Sequence, residues 1–238
     1  MPTIIELPWD SHIFGYKTGK VISAVRIPSD RELSAYQYVH VQILQDNVGL
    51  IWRYEAAGFR FVTIDFILEK NPSITDYAII EDYDLYWIRK QALPYQVRGF
   101  KVDGSRFMLD TILRQHLSPD FWDNMIYDHS CNYVDTALCA VQNGKLIGFI
   151  SCFEHHDNIE MFLIVVHPNF HGMGIGSHML KEVENMAKNN HKALRTSVIA
   201  QNIKAINFYS RHGFMVKQAN VVMHYHNQKR TRLCMNRS

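Results

Sequence analysis

Val166-His167-Pro168-Asn169-Phe170-His171-Gly172-Met173-Gly174-Ile175-Gly176-Ser177 joins two segments of opposite character. Before it, Glu160-Met161-Phe162-Leu163-Ile164-Val165-Val166 is a continuous apolar run, which predicts a strand buried on both faces. After it, Ile175, Met179, Leu180, Val183 and Met186 recur at helical spacing, which predicts a helix from about Gly174 to Asn189. The glycines let the backbone turn and come close to a ligand. The free N–H groups of the helix start then converge with the positive end of the helix dipole behind them, an anion site suited to phosphates.

Two familiar phosphate loops do not fit. A P-loop needs Lys-Ser/Thr after its last glycine, whereas Ser177-His178 follows here. A dinucleotide fingerprint starting at Gly172 needs glycine at position 177, which is serine, and no acidic residue ends the next strand near Val198.

His171-x-x-Gly174-x-Gly176 resembles the pyrophosphate loop [Gln/Arg]-x-x-Gly-x-[Gly/Ala] of the GNAT superfamily of acetyltransferases, with His where Gln or Arg is usual. A His ring can still donate to a phosphate. Asn202-x-x-Ala205-x-x-Phe208-Tyr209-x-x-x-Gly213-Phe214 resembles the last helix of the same superfamily, in the right order after the loop. The resemblance implies acetyl-CoA as cofactor. Its pyrophosphate would lie on His171, Gly172, Met173, Gly174, Ile175, Gly176 and Ser177, and its pantetheine arm would pair with the backbone of Ile164, Val165 and Val166. Asn202 would touch the pantetheine end, and Tyr209 would reach the departing sulfur.

Amide formation from a thioester needs a neutral amine, a polarised carbonyl and a protonated leaving group. An alkylamine with a pKa of about 10.4 is under about 0.1% neutral at pH 7, a cost of roughly 4–5 kcal/mol. A base or a relaying water is therefore useful, and an N–H of the splayed strand at Val165 or Val166 could polarise the carbonyl. Tyr209 is the expected general acid, since a phenol near 10 and a thiol near 8.5 exchange a proton with little bias. Thr63 and Asp65 share one face of a strand from Phe61 to Leu68, and Asp65 is the candidate base, acting through water. His224 and His226 also share a strand face and read as surface residues rather than metal ligands, and Pro168 keeps His167 and His171 from forming a helical zinc pair.

Working outward, Thr136 to Val141 and Leu146 to Ser151 flank Asn143-Gly144, a strong hairpin signal. Ala193 to Val198 reads as the next strand, and Asn202 to Arg211 as the last helix, ended by Gly213. Tyr77 to Glu81 reads as a short strand and Asp82 as the cap of a helix through Trp87 and Ile88 towards Ala92. Ser118-Pro119-Asp120 predicts a helix from Phe121 to Tyr127. Ile51-Trp52-Arg53-Tyr54-Glu55-Ala56-Ala57-Gly58-Phe59 echoes Ile206 to Phe214: a helix carrying Tyr, a glycine four residues on, then Phe leading a strand. With Asn71 to Asp76 as a linker, the reading is an α/β chain with the GNAT fold: a small N-terminal α/β unit (residues 1–72) and an acetyltransferase domain (73–238). The expected sheet is mixed and mostly antiparallel, flanked by helices, with a splay between the strands ending at Val166 and Val198.

Leu7-Pro8-Trp9-Asp10-Ser11-His12-Ile13-Phe14-Gly15 resembles the opening of the dTDP-amino-sugar acetyltransferases, such as dTDP-fucosamine N-acetyltransferase. Ser105-Arg106-Phe107-x-x-Asp110 followed by Phe121-Trp122 is similar to that group too. The resemblance implies a small-molecule acceptor amine on a dTDP-sugar and makes Trp9, Asp10, Phe14, Arg106 and Phe107 substrate-side candidates. Trp9 and Phe14 read equally well as core residues. A protein, peptide, polyamine or antibiotic amine and a non-catalytic CoA-binding module remain alternatives.

Composition is that of an ordinary globular protein. The 25 basic and 23 acidic residues leave a net charge of +2 with no block of one sign, against a nucleic-acid or membrane-surface partner. The four cysteines, Cys131, Cys139, Cys152 and Cys234, have no C-x-x-C spacing and read as reduced thiols of a cytoplasmic protein. A homodimer is compatible with the sequence.

Overall fold

The computed structural model describes residues 3–72, 82–89, 99–100, 106–115, 117–118, 120–128 and 134–227. The expected strand from Tyr77 to Glu81, and Cys131 and Cys234, lie outside them.

The N-terminal part runs β1 (Ile4–Glu6), α1 (Pro8–Phe14), β2 (Thr18–Val21), α2 (Asp30–Leu33), β3 (Tyr38–Leu44), α3 (Val48–Ala56) and β4 (Arg60–Lys70). It continues with β5 (Asp84–Ile88), α4 (Arg106–Leu109), α5 (Thr111–Arg114), α6 (Phe121–Asp128), β6 (Thr136–Gln142), β7 (Lys145–Glu154) and β8 (Asn158–Val166). A single 3-10 turn (Pro168–Phe170) leads into α7 (Ile175–Asn189), β9 (Ala193–Ile199), α8 (Ile203–Arg211) and β10 (Met215–His226). The ten strands among the described residues form one sheet in the order β1-β2-β3-β10-β4-β9-β8-β7-β6-β5. Among these strands, only β2 with β3 and β8 with β9 run parallel.

The Asn143-Gly144 turn has positive φ at both residues (50° and 69°), the form that matches strand twist in a two-residue hairpin. One expectation fails nearby: residues 84–88 form an edge strand, not a helix. Leu85, Trp87 and Ile88 pair with Ala140, Leu138 and Ala137 of β6, so the sheet edge satisfies a backbone that local signals would have wound up.

β8 departs from expectation in a way that creates the site. Against β7, Leu163 pairs with Ser151 but Met161 pairs with Cys152, so Phe162 is an extra residue, a β-bulge. The parallel pairing of β8 with β9 runs from Asn158↔Ala193 to Met161↔Thr196 and stops there. The bulge bends β8 away from β9, and the expected splay opens at Phe162. Phe162 is consequently half exposed, so this strand is not buried on both faces along its length.

Helices cover both faces. Phe149, Leu163 and Val165 pack under Phe14, Phe107, Leu113, Phe121 and Met125, which places α1, α4, α5 and α6 on one face. Ile147 and Ile150 pack with Ile175, Met179, Val183 and Tyr209 of α7 and α8 on the other. Leu50 and Tyr54 of α3 pack with Val221 and Met223. Because Val221 is paired with Ile64, two residues from Phe66 beside α8, helix α3 shares the face of α7 and α8.

The repeat between residues 51–59 and 206–214 is real in three dimensions. Asn47 and Asn202 each cap their helix by accepting an N–H three residues on. Gly58 and Gly213 both take left-handed φ (90° and 81°), and Phe59 N–H and Phe214 N–H return to Tyr54 O and Tyr209 O. The two units are interleaved: β4 lies between β10 and β9, and β10 lies between β4 and β3. A side chain at either glycine meets the left-handed penalty, so Gly58→Ala and Gly213→Ala are each expected to cost about 1–2 kcal/mol by urea unfolding. No loss at either site would contradict the matched end geometry.

Candidate active site

The loop between β8 and α7 is built around left-handed glycines. Gly172 and Gly174 both have φ of 80°, and a Cβ on Gly172 would meet nothing within 4 Å, leaving open space beside the backbone. Gly174 is the N-cap of α7 and offers no side chain to its first turn, so no cap side chain competes for the helix-start N–H groups. A Cβ on Gly176 would lie 3.7 Å from both Val166 and Phe208, so the first turn of α7 packs tightly against the end of β8 and against α8.

His171 is exposed, with Nε2 2.8 Å from Val166 O. A carbonyl only accepts, so Nε2 carries the proton and only Nδ1 is left for another partner. Its neighbour Ser177 is linked to α8. His212 Nδ1 lies 2.7 Å from Phe208 O and must donate there, while its Nε2 lies 3.0 Å from Ser177 Oγ. Asn202 Oδ1 accepts the Ala205 N–H at 3.2 Å, so this side chain also serves the fold as a helix cap.

Tyr209 is 2% exposed, between the rings of Phe208 and Phe214. Burial pushes its phenol above the ordinary value of 10, against a smaller opposing effect of its hydrogen bond with Thr196. Thr196 Oγ1 in turn donates to Met161 O at 3.0 Å. Thr196 and Met161 are the last paired residues of β8 and β9, so the Tyr209 hydroxyl stands at the vertex of the splay.

The opposite face of the sheet is polar where it passes β9, β4, β10 and β3. Val221 and Met223 point to α3, so Asn220, Val222, His224 and His226 point the other way, with their partners Asp65, Thr63, Gln42 and His40. Asp65 is 4% exposed; Ser197 Oγ donates to its Oδ1, and Gln42 Nε2 donates to Oδ2 at 3.0 Å. Thr63 Oγ1 donates to Gln201.

Sequence reasoning placed His224 and His226 at the surface, and this is corrected. β10 lies inside the sheet, and the head of α5 covers this face. His224 Nδ1 and His226 Nε2 lie 2.6 and 2.7 Å from the same oxygen, Asp110 Oδ2, and His224 Nε2 lies 3.0 Å from Tyr38 Oη. Burial works to raise the Asp110 pKa, but the hydrogen bonds from His224 and His226 outweigh it and hold it below its ordinary 3.8. The H-x-H spacing was the available signal, but nothing local in the sequence revealed Asp110 as the partner, 114 residues from His224.

Of the substrate-side candidates, Trp9, Phe14 and Phe107 are core residues beside Phe121, and Trp9 Nε1 donates to Asp128 at 3.3 Å. Asp10 is buried, and Arg106 heads α4 with its side chain outside the described residues. Burial pushes the Cys139 thiol up to about 12 and moves Cys152 in the same direction, as expected of inert buried thiols. No described helix is long and apolar enough to cross a membrane.

A glycine-rich helix start beside a bulged, splayed strand, within a mixed sheet flanked by helices, is the GNAT acyltransferase fold. Residues 103–214, just under half of the chain, match the model of the acetyltransferase (GNAT) family. The chain is similar to the spore coat polysaccharide biosynthesis protein SpsD of Bacillus subtilis, 26% identical over 114 residues, 46% of this chain and 39% of that protein. It is also similar to an uncharacterized N-acetyltransferase of Methanocaldococcus jannaschii, 35% identical over 89 residues, 34% of this chain and 39% of that one. The chain thus spans well under half the length of these curated relatives. A tandem GNAT protein from the clavulanic acid biosynthesis pathway shares the fold with a TM-score of 0.58 at 13% identity, over 88% of this chain and 75% of that one.

Removing the charge that both histidines face leaves two imidazoles around a neutral amide. Asp110→Asn is expected to lower stability by about 3 kcal/mol, read as a lower urea midpoint. An unchanged midpoint would mean that the cluster does not hold α5 to β10.

Proposed function

We propose that the chain transfers an acetyl group from acetyl-CoA to a primary amine of a nucleotide-linked amino sugar by direct attack. The observation that carries this reading is the splay at Phe162, with an uncapped anion site at its mouth, Tyr209 at its vertex and the Asp65 network on the far face. Bound acetyl-CoA supplies the acyl group as a reactive thioester.

The loop from His171 to Ser177 fits the pyrophosphate because its helix-start N–H groups have no side-chain cap and its glycines leave room. His167 N–H donates to Ile147 of β7 at 2.8 Å. Backbone direction alternates along a strand, so Val165 also faces β7, while Ile164 and Val166 turn their N–H groups to the splay. Ile164 and Val166 would hold the pantetheine arm, and a splay-facing N–H would polarise the thioester carbonyl. Asn202 frames the arm from α8. A cleft of about 690 Å³ beside Ser177 and His212 carries Arg211 together with Lys70 and Lys181, both paired with Glu184, and is assigned to the 3′-phosphoadenosine end.

On the other face, Asp65 accepts from Ser197 and Gln42, and it is the carboxylate assigned to an incoming ammonium or a relaying water. It takes the amine proton through water, and Tyr209 donates to the leaving sulfur. The raised phenol pKa keeps that proton in place but makes the transfer less balanced than a free phenol's would be. The N-terminal unit (residues 1–72) closes the acceptor side of the transferase domain (73–238). Trp9, Phe14 and Phe107 pack as the core behind that side, and Asp10 and Arg106 are its polar candidates. A relative named for polysaccharide biosynthesis supports a sugar acceptor.

Thioester consumption with dTDP-amino sugars, polyamines and peptides tests the acceptor. Turnover on the sugars is expected, whereas turnover confined to peptides or polyamines would reject it. Tyr209→Phe is expected to lower kcat ten-fold or more with acetyl-CoA affinity little changed, while Tyr54→Phe in the repeated helix leaves kcat unaltered. Equal turnover in wild type and Tyr209→Phe would remove Tyr209 from the mechanism. Tyr209 must be protonated to act, and its pKa is raised, so its active form persists above pH 10. A fall in kcat/KM below pH 10 that vanishes in Tyr209→Phe would contradict that.

A further inference from the structure

We propose that Asp110, His224 and His226 form a binding site for one divalent transition-metal ion of the zinc type. Two imidazoles and one carboxylate, from the α4–α5 junction and from β10, converge with their ligand atoms within 4.8 Å of one another. This donor set suits zinc and its neighbours; magnesium and calcium prefer all-oxygen sites.

The ligands are oriented by partners that an ion would leave in place. Asp110 Oδ1 accepts the N–H groups of Ile112 and Leu113 at 2.9 and 3.1 Å, which aims Oδ2 at the histidines. His224 is 1% exposed, and its far nitrogen meets the Tyr38 hydroxyl at 3.0 Å. Coordination through Nδ1 selects the tautomer whose Nε2–H donates to Tyr38, the outer partner a ligating histidine requires. His226 stacks on the Tyr38 ring, with centroids 5.4 Å apart.

The site needs little movement to close on an ion. The ring nitrogens lie 2.6 and 2.7 Å from Oδ2, which is hydrogen-bond spacing. Bonds of about 2.0–2.1 Å at tetrahedral or octahedral angles would set these separations to roughly 2.8–3.4 Å. Asp110 and His224 are held, and His226, whose side chain is 13% exposed, can give by that amount. Three protein ligands leave a fourth position for water. The bound ion would tie the head of α5 to β10 at the end of the polar face, independently of any acyl transfer.

The test uses the full, untagged chain stripped with a chelator. Cobalt(II) serves as the optical probe, with zinc(II) in competition. The expected result is a visible d–d band that saturates at one cobalt per chain and is abolished by zinc, with a rise in Tm on adding one equivalent of zinc. His226→Gln, at the rim, is expected to weaken cobalt binding at least ten-fold while keeping the wild-type far-UV spectrum. No band and no Tm shift in the wild type would overturn the site. Binding that persists unchanged in His226→Gln and Asp110→Asn would overturn it as well, by placing the ion on other histidines.

Discussion

The extra residue at Phe162 is the constraint on which the site depends. Up to Met161, β8 is an ordinary parallel neighbour of β9; one residue later it is committed to β7 alone. The gap exposes backbone groups on two strands at once, which a folded chain tolerates only where something else will satisfy them. The Thr196 hydroxyl bridges β9 to Met161 O at the last paired position, and Tyr209 packs against that bridge from α8. The opening is therefore held at its vertex by the side chain proposed to do the chemistry.

The interleaved repeat explains how the two sides of the opening are joined. Each unit runs strand, helix, capping glycine, strand, and each last strand pairs with the other unit's inner strand. β4 brings Asp65 to β9 in this way, beside the opening, although it follows the N-terminal helix in sequence. The N-terminal unit reproduces the helix cap and the tyrosine, but Tyr54 donates its hydroxyl to Arg26 O. Its β2–α2 connection has no glycine-rich turn, and α2 spans only Asp30–Leu33. Only the C-terminal copy thus has the elements of a phosphate site.

The sequence was most legible where local rules and the fold agree. The Asn143-Gly144 hairpin, the glycine loop, the α7 periodicity and the helix from Asn202 to Arg211 are short-range signals and lie where they were expected. The splay was anticipated only through resemblance, because a bulge is set by the partner strand's register and leaves no mark in an apolar run. Residues 84–88 misled for a related reason: an Asp cap before an apolar stretch favours a helix locally, and only the free edge of β6 turns it into a strand. Asp110, His224 and His226 show the widest gap. H-x-H reads as one strand face, and whether that face is wet depends on β3 and β4 flanking it and on α5 crossing above.

The proposed function requires the backbone of β8 beyond the bulge to receive an acyl-CoA arm. Amide hydrogen exchange with and without CoA reads this most directly. The amides of Ile164 and Val166 face the splay and are expected to slow markedly on CoA addition. The amide of Val165, already directed to β7, should change little. Protection of the loop from His171 to Ser177 with no change at Ile164 and Val166 would contradict the claim, leaving an anion site without a strand-like cofactor groove.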